Sequence, residues 1–490
     1  MKKSARKHSQ PPASGQPPTT RLSLQDVQVS ADELTEFHQL FHRIFQRREQ
    51  REWSALYLCG QLSQLERKTI EPIVAAFRGA DPNAVRGLQR FMSQETWPAT
   101  TLILELQDVV AAWLGDPLGV AIVDGSGFPK QGQRSVGVAR QYCGAVGKVA
   151  NSQEGVFLVY ASRYGYAFLD ERLYVHETWF KDAARTRWQQ CGIPDDLRFQ
   201  TEPELALDML QGLVKRGVLP FRWVAADAHF GAIPTFLDAV DALGKWYLIE
   251  VPADTRAWLH TPTVEPPGCG PLGKPRTQPR VSRRAPRPRE LRDLAAQLPK
   301  QAWTRYCIKD GSKGPLIADF AFLRVTTIRA ELPGPRLWAI VRRRVGRDPE
   351  LKFYLSNAPT TCPRAELVRV SGMRWPIETA LEEGKGEVGM DQYETRGWVS
   401  WHHQMAHSFV AHLFLVRLCL MFKKKSCLDG RTGTSLDRTR FGRRARRSPR
   451  HRRSHHLLPG TKLRRVLFTS PTSTAKNLTF TWAATVTEVS

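Results

Sequence analysis

Apolar positions recur at helical spacing over the first quarter of the chain. In ADELTEFHQLFHRIFQRREQREW, Leu34, Phe37, Leu40, Phe41 and Ile44 fall at steps of three and four, the spacing that lines one face of a helix. RKTIEPIVAAFRG and ATTLILELQDVVAAWLG carry the pattern on to about residue 115. Near residue 118 the period changes. GVAIVD is a short β-rich run of the kind buried on both faces, and VGVARQYCGA and EGVFLVYAS follow as two further strands across a turn region. PELALDMLQGLVKRG is amphipathic, with Pro203 early and Gly217 at its end, the asymmetry of a helix start and stop. PFRWVAAD reads as a strand, IPTFLDAVDALG as a helix and KWYLIEVP as a strand. Three strands followed by helix–strand–helix–strand predict an α/β fold, a mixed sheet with helices packed on it.

The pattern breaks at PLGKPRTQPRVSRRAPRPRELR (271–292), where Glu290 is the only acid among many arginines. Proline at this density excludes a helix or a central strand, so the segment is expected to be an exposed linker. LIADFAFLRVTT, RLWAIVRRRV and LKFYLSN then read as strands of an insert, and a helical region spans 374–421. The expected division is a disordered arm (1–23), a helical DNA-binding domain (24–116), the first part of the α/β core (117–252), a basic linker with a β-rich insert (253–365), a helical C-terminal part of the core (366–422) and a disordered basic tail (423–490).

Charge narrows the partner. The 490 residues carry 72 Lys+Arg against 47 Asp+Glu, a formal net charge of +25. Such an excess implies an anionic partner, and nucleic acid rewards many dispersed cations most directly. No run of about 18 apolar residues stands out, so no membrane span is expected. MKKSARKHSQPPASGQPP has charge but no apolar stretch after it, and does not read as a secretory signal. The eight cysteines include no C-x-x-C pair, which argues against a zinc ribbon or a disulfide framework. Reduced cytosolic thiols are expected.

Three acids carry the candidate chemistry. Asp124 ends the run GVAIVD and is followed by Gly125, Ser126 and Gly127, small residues that leave room for an ion and a phosphate. Taken alone it is as readily a turn aspartate bonding its own backbone. Asp227 ends PFRWVAAD before a helix start, where it would also serve as a cap. His229, two residues on, is read as a packing or hydrogen-bonding residue and left out of any metal shell. Glu378 lies in RWPIETALEEGKGE, where Arg374, Glu378 and Lys385 share one helical face at steps of four and seven. On the plainer reading Glu378, Glu382, Glu383 and Glu387 are surface acids making contacts one turn away with Arg374 and Lys385. Together the three segments point elsewhere. Carboxylate oxygens are the hard ligands that Mg²⁺ or Mn²⁺ prefers, and two such ions can assist an in-line displacement at phosphorus. Arg374 would grip a phosphate with two donors and Lys385 as a point charge.

IVDGSGFPKQGQRSVGVARQYCGAVGKVANSQ, VAADAHFG and MRWPIETALEEGKGEVGMDQYETRGW resemble the DDE transposases of the IS4-like group, most closely the IS701 type. The three stretches, with what lies between them, cover about 120–420. The separations fit as well: 103 residues from Asp124 to Asp227 and 151 from Asp227 to Glu378, the longer gap holding the β-rich insert. Asp124, Asp227 and Glu378 match the acidic triad. Arg374, Glu378 and Lys385 match the group's Tyr-x₂-Arg-x₃-Glu-x₆-Lys pattern, with Ser371 at the tyrosine position. Gly125 and Ser126 stand where the IS701 type carries an acid and a threonine. The resemblance implies an RNase H-like mixed sheet flanked by helices and a magnesium transposase, with two ions held by the triad. It implies cleavage at insertion-sequence ends and strand transfer into target DNA. Arg374 and Lys385, with Lys130 and Arg140 after the first acid, are the expected DNA contacts. A homodimer on double-stranded DNA, working at the nucleoid in a bacterial cytoplasm, is expected. The alternatives are a catalytically inactive relative that still binds DNA and a metal-dependent nuclease without strand transfer. A two-carboxylate glycosidase is disfavoured, since a neutral sugar has no use for the charge.

Overall fold

The computed structural model describes residues 24–429, apart from 95, 182–184, 269–275, 312–313 and 347–348. The arm at 1–23 and the tail from 430 onward lie outside the described residues.

Five helices come first: α1 (Leu24–Gln39), α2 (Arg48–Leu62), α3 (Ile70–Arg78), α4 (Pro82–Ser93) and α5 (Ala99–Leu114). The pattern in 31–53 predicts helix throughout, yet the chain breaks between α1 and α2. Two side chains explain the break. Gln50 reaches back to accept from the Arg47 backbone N–H at 3.2 Å, capping a new helix start. Arg51 donates to the Phe45 carbonyl at 3.0 Å, a bond that serves the turn. Leu34, Phe37, Phe41 and Ile44 are buried as expected, whereas Leu40 faces solvent. The run leading into α4 has its own signal, an Asp81 cap followed by Pro82, with Asp81 accepting from the Asn83 N–H at 2.8 Å.

The central sheet contains β1 (Val120–Pro129), β2 (Ala139–Cys143), β3 (Lys148–Ser162), β4 (Gly165–Tyr174), β5 (Trp223–Ala225) and β6 (Trp246–Tyr247). Its order is β2-β3-β1-β5-β6, with β4 also paired to β3. β1 runs antiparallel to β3 and parallel to β5, and β5 parallel to β6. Val120 to Val123 are fully buried, which is why the run is unbrokenly apolar. β4 was not anticipated: the chain reverses after Ser162 and Gly165, at φ 149°, returns it along β3. Between the strands lie α6 (Thr186–Cys191), α7 (Glu202–Arg216), α8 (Ala228–Gly231) and α9 (Pro234–Ala242). α7 carries the predicted end signals, with Gly217 left-handed at φ 65°.

KWYLIEVP does not stay in one sheet. β7 (Ile249–Val251) belongs to a second, five-stranded sheet. Its other members are β12 (Thr304–Gly311), β13 (Gly314–Arg329), β14 (Leu332–Arg344) and β15 (Leu351–Ser356), in the order β12-β13-β14-β15-β7. Successive peptide groups of a strand face opposite sides. Trp246, Leu248 and Glu250 donate toward the β5 segment at 3.0–3.2 Å, while Ile249 and Val251 lie in register with Leu355 and Phe353 of β15. One stretch of chain therefore stitches the two sheets. Among the described residues the basic linker forms two-residue ladders, β8 (Arg256–Ala257) with β11 (Arg289–Glu290) and β9 (Val264–Glu265) with β10 (Arg280–Val281), followed by the short α10 (Leu291–Ala296).

Three helices close the molecule: α11 (Arg364–Ser371), α12 (Trp375–Gly386) and α13 (Trp398–Asp429). α13 runs past Phe422, where the basic tail was expected to begin. It also corrects the expectation that no segment is long and apolar enough for a bilayer: Trp398–Phe422 meets that criterion, with mean hydropathy 1.7. The reason is a central position in the protein, since 72% of that window is buried. α13 packs against α2, α4, α5 and β4, and one continuous apolar core runs from Leu34 to Leu418.

Candidate active site

The first two acids are brought level by the sheet. β1 and β5 are parallel neighbours, with Ile122 opposite Ala225. Asp124, still on β1, and Asp227, just past the end of β5 at the start of α8, each lie two residues beyond that pair, close enough for the Asp227 charge to act on Asp124. Each also performs the ordinary duty considered for it. Asp124 Oδ1 accepts from the Gly125 N–H at 2.9 Å. Asp227 caps α8, accepting from the N–H groups of His229 at 3.0 Å and Phe230 at 3.4 Å. Those bonds fix both carboxylates without using all their oxygen lone pairs.

The third acid arrives on α12. Arg374, at the N-cap, donates through Nη1 to Asp124 Oδ2 at 3.2 Å and through Nη2 to Glu378 Oε1. One guanidinium thus joins acids that lie 254 positions apart in sequence. Burial first, and then the nearby Asp227 charge, push the Asp124 carboxyl up to about 7 against the opposing pull of Arg374. Arg374 is itself half-buried. Glu378 first, then Asp124, Glu250 and Asp227, hold it in its charged form against that burial.

The donor set is all oxygen, the chemistry of a hard divalent cation. As arranged, its positive charge is supplied by Arg374. Among the described residues no group of three or more His, Cys, Asp and Glu is spaced to enclose an ion. The carboxylates are gathered around a cation, and the residues fit a divalent ion in kind, with Arg374 standing where the charge is needed.

The other expected residues separate into near and far. Lys385, in the last turn of α12, donates to the Gly127 carbonyl at 2.8 Å and lies 4.6 Å from the Phe128 ring centroid. Burial lowers the pKa of its ammonium group. Lys130 lies 3.5 Å from the Tyr393 ring centroid, and burial lowers it to about 8. Arg140 is not at the site; it is exposed on β2, opposite Asn151. Ser371 is buried and bonds the Val368 carbonyl at 2.7 Å. His229 is largely exposed, its Nε2 3.8 Å from Glu202.

Two acids were missed. Glu202 opens α7, and a Cβ built on Gly125 would lie 3.1 Å from its carboxylate. Glu154 faces Gly127 across the β1–β3 ladder, and a Cβ there would lie 2.6 Å from its Oε1. The glycines after Asp124 therefore clear space for two more carboxyl groups. Burial raises both, Glu154 to about 7. No local spacing marks either one, since Glu202 reads as a first-turn acid and Glu154 as one polar residue of a strand. Glu383 is a correction: it is buried rather than on a surface face. It accepts from Tyr166 Oη at 2.8 and 2.9 Å and lies 3.0 Å from His412 Nε2.

Residues 37–315 match the family model of the DDE superfamily endonucleases, a span that includes Asp124 and Asp227 and ends before α12. A probable transposase for insertion sequence element IS701, from Microchaete diplosiphon, is 24% identical over 336 residues, 68% of this chain and 74% of that protein. Among solved structures, the NurA nuclease from Sulfolobus solfataricus aligns over 68% of this chain and 92% of its own at 11% identity, with a TM-score of 0.24, too low to bear on the fold. The matched span exceeds half of the chain and holds two of the three gathered acids: the chain belongs to the DDE endonuclease superfamily.

Proposed function

We propose that the protein is a cut-and-paste DNA transposase that cleaves at insertion-sequence ends and joins the freed end to target DNA. The observation that carries this is the meeting of Asp124, Asp227 and Glu378 around Arg374. The order of antiparallel and parallel strands, with Asp124 on the central one, supports an RNase H-like core. Asp124, Asp227 and Glu378 would hold Mg²⁺ or Mn²⁺, as two ions. When bound, such ions lower the cost of forming a hydroxide-like nucleophile and of the charge on the departing oxygen.

The chain's own residues position the DNA. Arg374 neutralises two carboxylates and, released from them, presents a planar pair of donors to a phosphate. Lys385 sits one helical face along, against Gly127, and adds a second positive charge beside the same strand. In the first step a water oxygen bonds to phosphorus and the bond to the 3′-oxygen breaks, with the proton passing to solvent. In the second, the freed 3′-hydroxyl attacks another phosphodiester and displaces its 3′-oxygen. Both displacements depend on alignment and charge stabilisation. The +25 net charge suits a double-stranded DNA substrate, and two protomers would be needed to hold two ends. The reading places the protein at the nucleoid.

The test is cleavage and joining of DNA carrying the element's ends, with Mg²⁺ and a supercoiled target. Asp124→Asn should abolish cleavage while leaving DNA binding intact. No cleavage by the intact chain would leave a DNA-binding relative without catalysis, and cleavage without joining would leave a nuclease.

A further inference from the structure

The β2–β3 hairpin carries exposed apolar side chains at its tip. Tyr142 is 66% exposed, Val149 53% and Val146 43%. Tyr142 and Val149 are direct cross-strand partners, and Arg140 opposite Asn151 is the next pair on the same face. The base, by contrast, is tied down. Asn151 Nδ2 donates to the carbonyls of Lys130 at 2.7 Å and Gly132 at 2.9 Å, Gln153 to Val136 at 2.6 Å, and Trp179 Nε1 to Val138 at 2.9 Å. A firmly held hairpin thus ends in exposed apolar side chains.

Charge identifies the occupant. From Gly125 to Gln153 the chain contains no Asp or Glu, yet it carries Lys130, Arg134, Arg140 and Lys148. Arg134, Arg140 and Lys148 are exposed, and among the described residues none of the three is paired with a carboxylate. Two copies of such an arm would repel each other. Exposed apolar side chains flanked by free cations suit a duplex, where a wedge enters between base steps and the cations meet the adjacent phosphates.

We infer that the tip of the β2–β3 hairpin, Tyr142 with Val146 and Val149, is a wedge that inserts into double-stranded DNA and bends it, with Arg140 and Lys148 on the flanking phosphates. This rests on the transposase reading for its substrate. The hairpin curls back at its tip: a Cβ built on Gly127, three residues after Asp124, would meet Cys143 Sγ at the end of β2, so the tip lies beside the strand that carries the first acid.

The full chain, in chelator so that no cleavage intervenes, is titrated against a short duplex with donor and acceptor dyes at its ends. The parent should bind and raise energy transfer. A Tyr142→Ser/Val149→Ser variant should bind about ten-fold more weakly, without the rise and with an unchanged salt slope. Arg140→Ala/Lys148→Ala should still bend the duplex at saturation, with a slope of log affinity against log salt shallower by about 2. Equal bending by the tip variant, or binding by the parent without bending, overturns the wedge. So does a tip variant that changes from dimer to monomer by light scattering while its DNA binding is unaltered, since the surface would then join two copies. Failure of the parent to bind any duplex would instead remove the transposase reading along with it.

Discussion

Arg374 holds two carboxylates that the chain keeps far apart in sequence. Arg374→Ala should lower end cleavage about a hundred-fold or more, the scale of losing one preorganised charge at a reacting phosphate. Arg374→Lys should not restore it, because a single ammonium cannot reproduce a planar fork spanning two acids. Cleavage assays on the two variants at matched DNA occupancy check both statements. At this scale the sequence was readable where an acid ended an apolar run, as Asp124 and Asp227 do. Glu202 and Glu154 escaped because they enter from α7 and from the facing strand, and what brings them in is the room left by Gly125 and Gly127.

The elements bearing the acids are locked by close contacts. A Cβ on Gly231 would lie 1.9 Å from the Glu250 carbonyl oxygen, a backbone atom of β7 that cannot step aside. Gly231→Ala should therefore cost about 1–3 kcal/mol and shift the cap at Asp227, seen as a lower urea midpoint and weaker cleavage. α12 is held from its other side by Glu383, Tyr166 and His412. Tyr166→Phe removes the hydroxyl donor from a buried carboxylate and should cost about 1–3 kcal/mol, read from the same denaturation curve. The face of α12 that carries Arg374, Glu378 and Lys385 was legible from spacing. That Glu383 turns inward was not, because spacing says which residues share a face and not what the face meets. Nor did the pattern separate β6 from β7: an apolar run looks the same whichever sheet each edge joins.

Across the whole molecule, α13 binds the N-terminal helices to the sheet through a set of buried histidines. His407 is enclosed by Tyr57, Phe45, Phe91 and Trp97, and neither ring nitrogen has a hydrogen-bond partner. His403 stacks on Trp97 at 3.6 Å, and His38 bonds Ser54 at 3.0 Å. Burial depresses all three, His38 and His407 to about 3 and His403 to about 4. Their native pKa values lie below the unfolded value of about 6.5, so the unfolded chain binds more protons on acidification. The stability they allow is complete above about pH 6.5 and is lost as the pH falls toward 4, by up to about 4 kcal/mol per pH unit for three such groups. Urea midpoints between pH 8 and pH 5 should show that fall, and His407→Phe should flatten it. Helices and sheet were legible as separate patterns; their union along α13 was not, since an apolar helix does not say which elements bury it.

The stitch at Trp246–Val251 bears on how such proteins can be recombined. Moving the insert to a relative by cutting at residues 253 and 365 would leave Ile249–Val251 behind. The graft would then arrive one strand short, with the row of β15 amides that had faced it bare to water. A workable exchange has to carry those residues as well, and with them one border of the host's own central sheet.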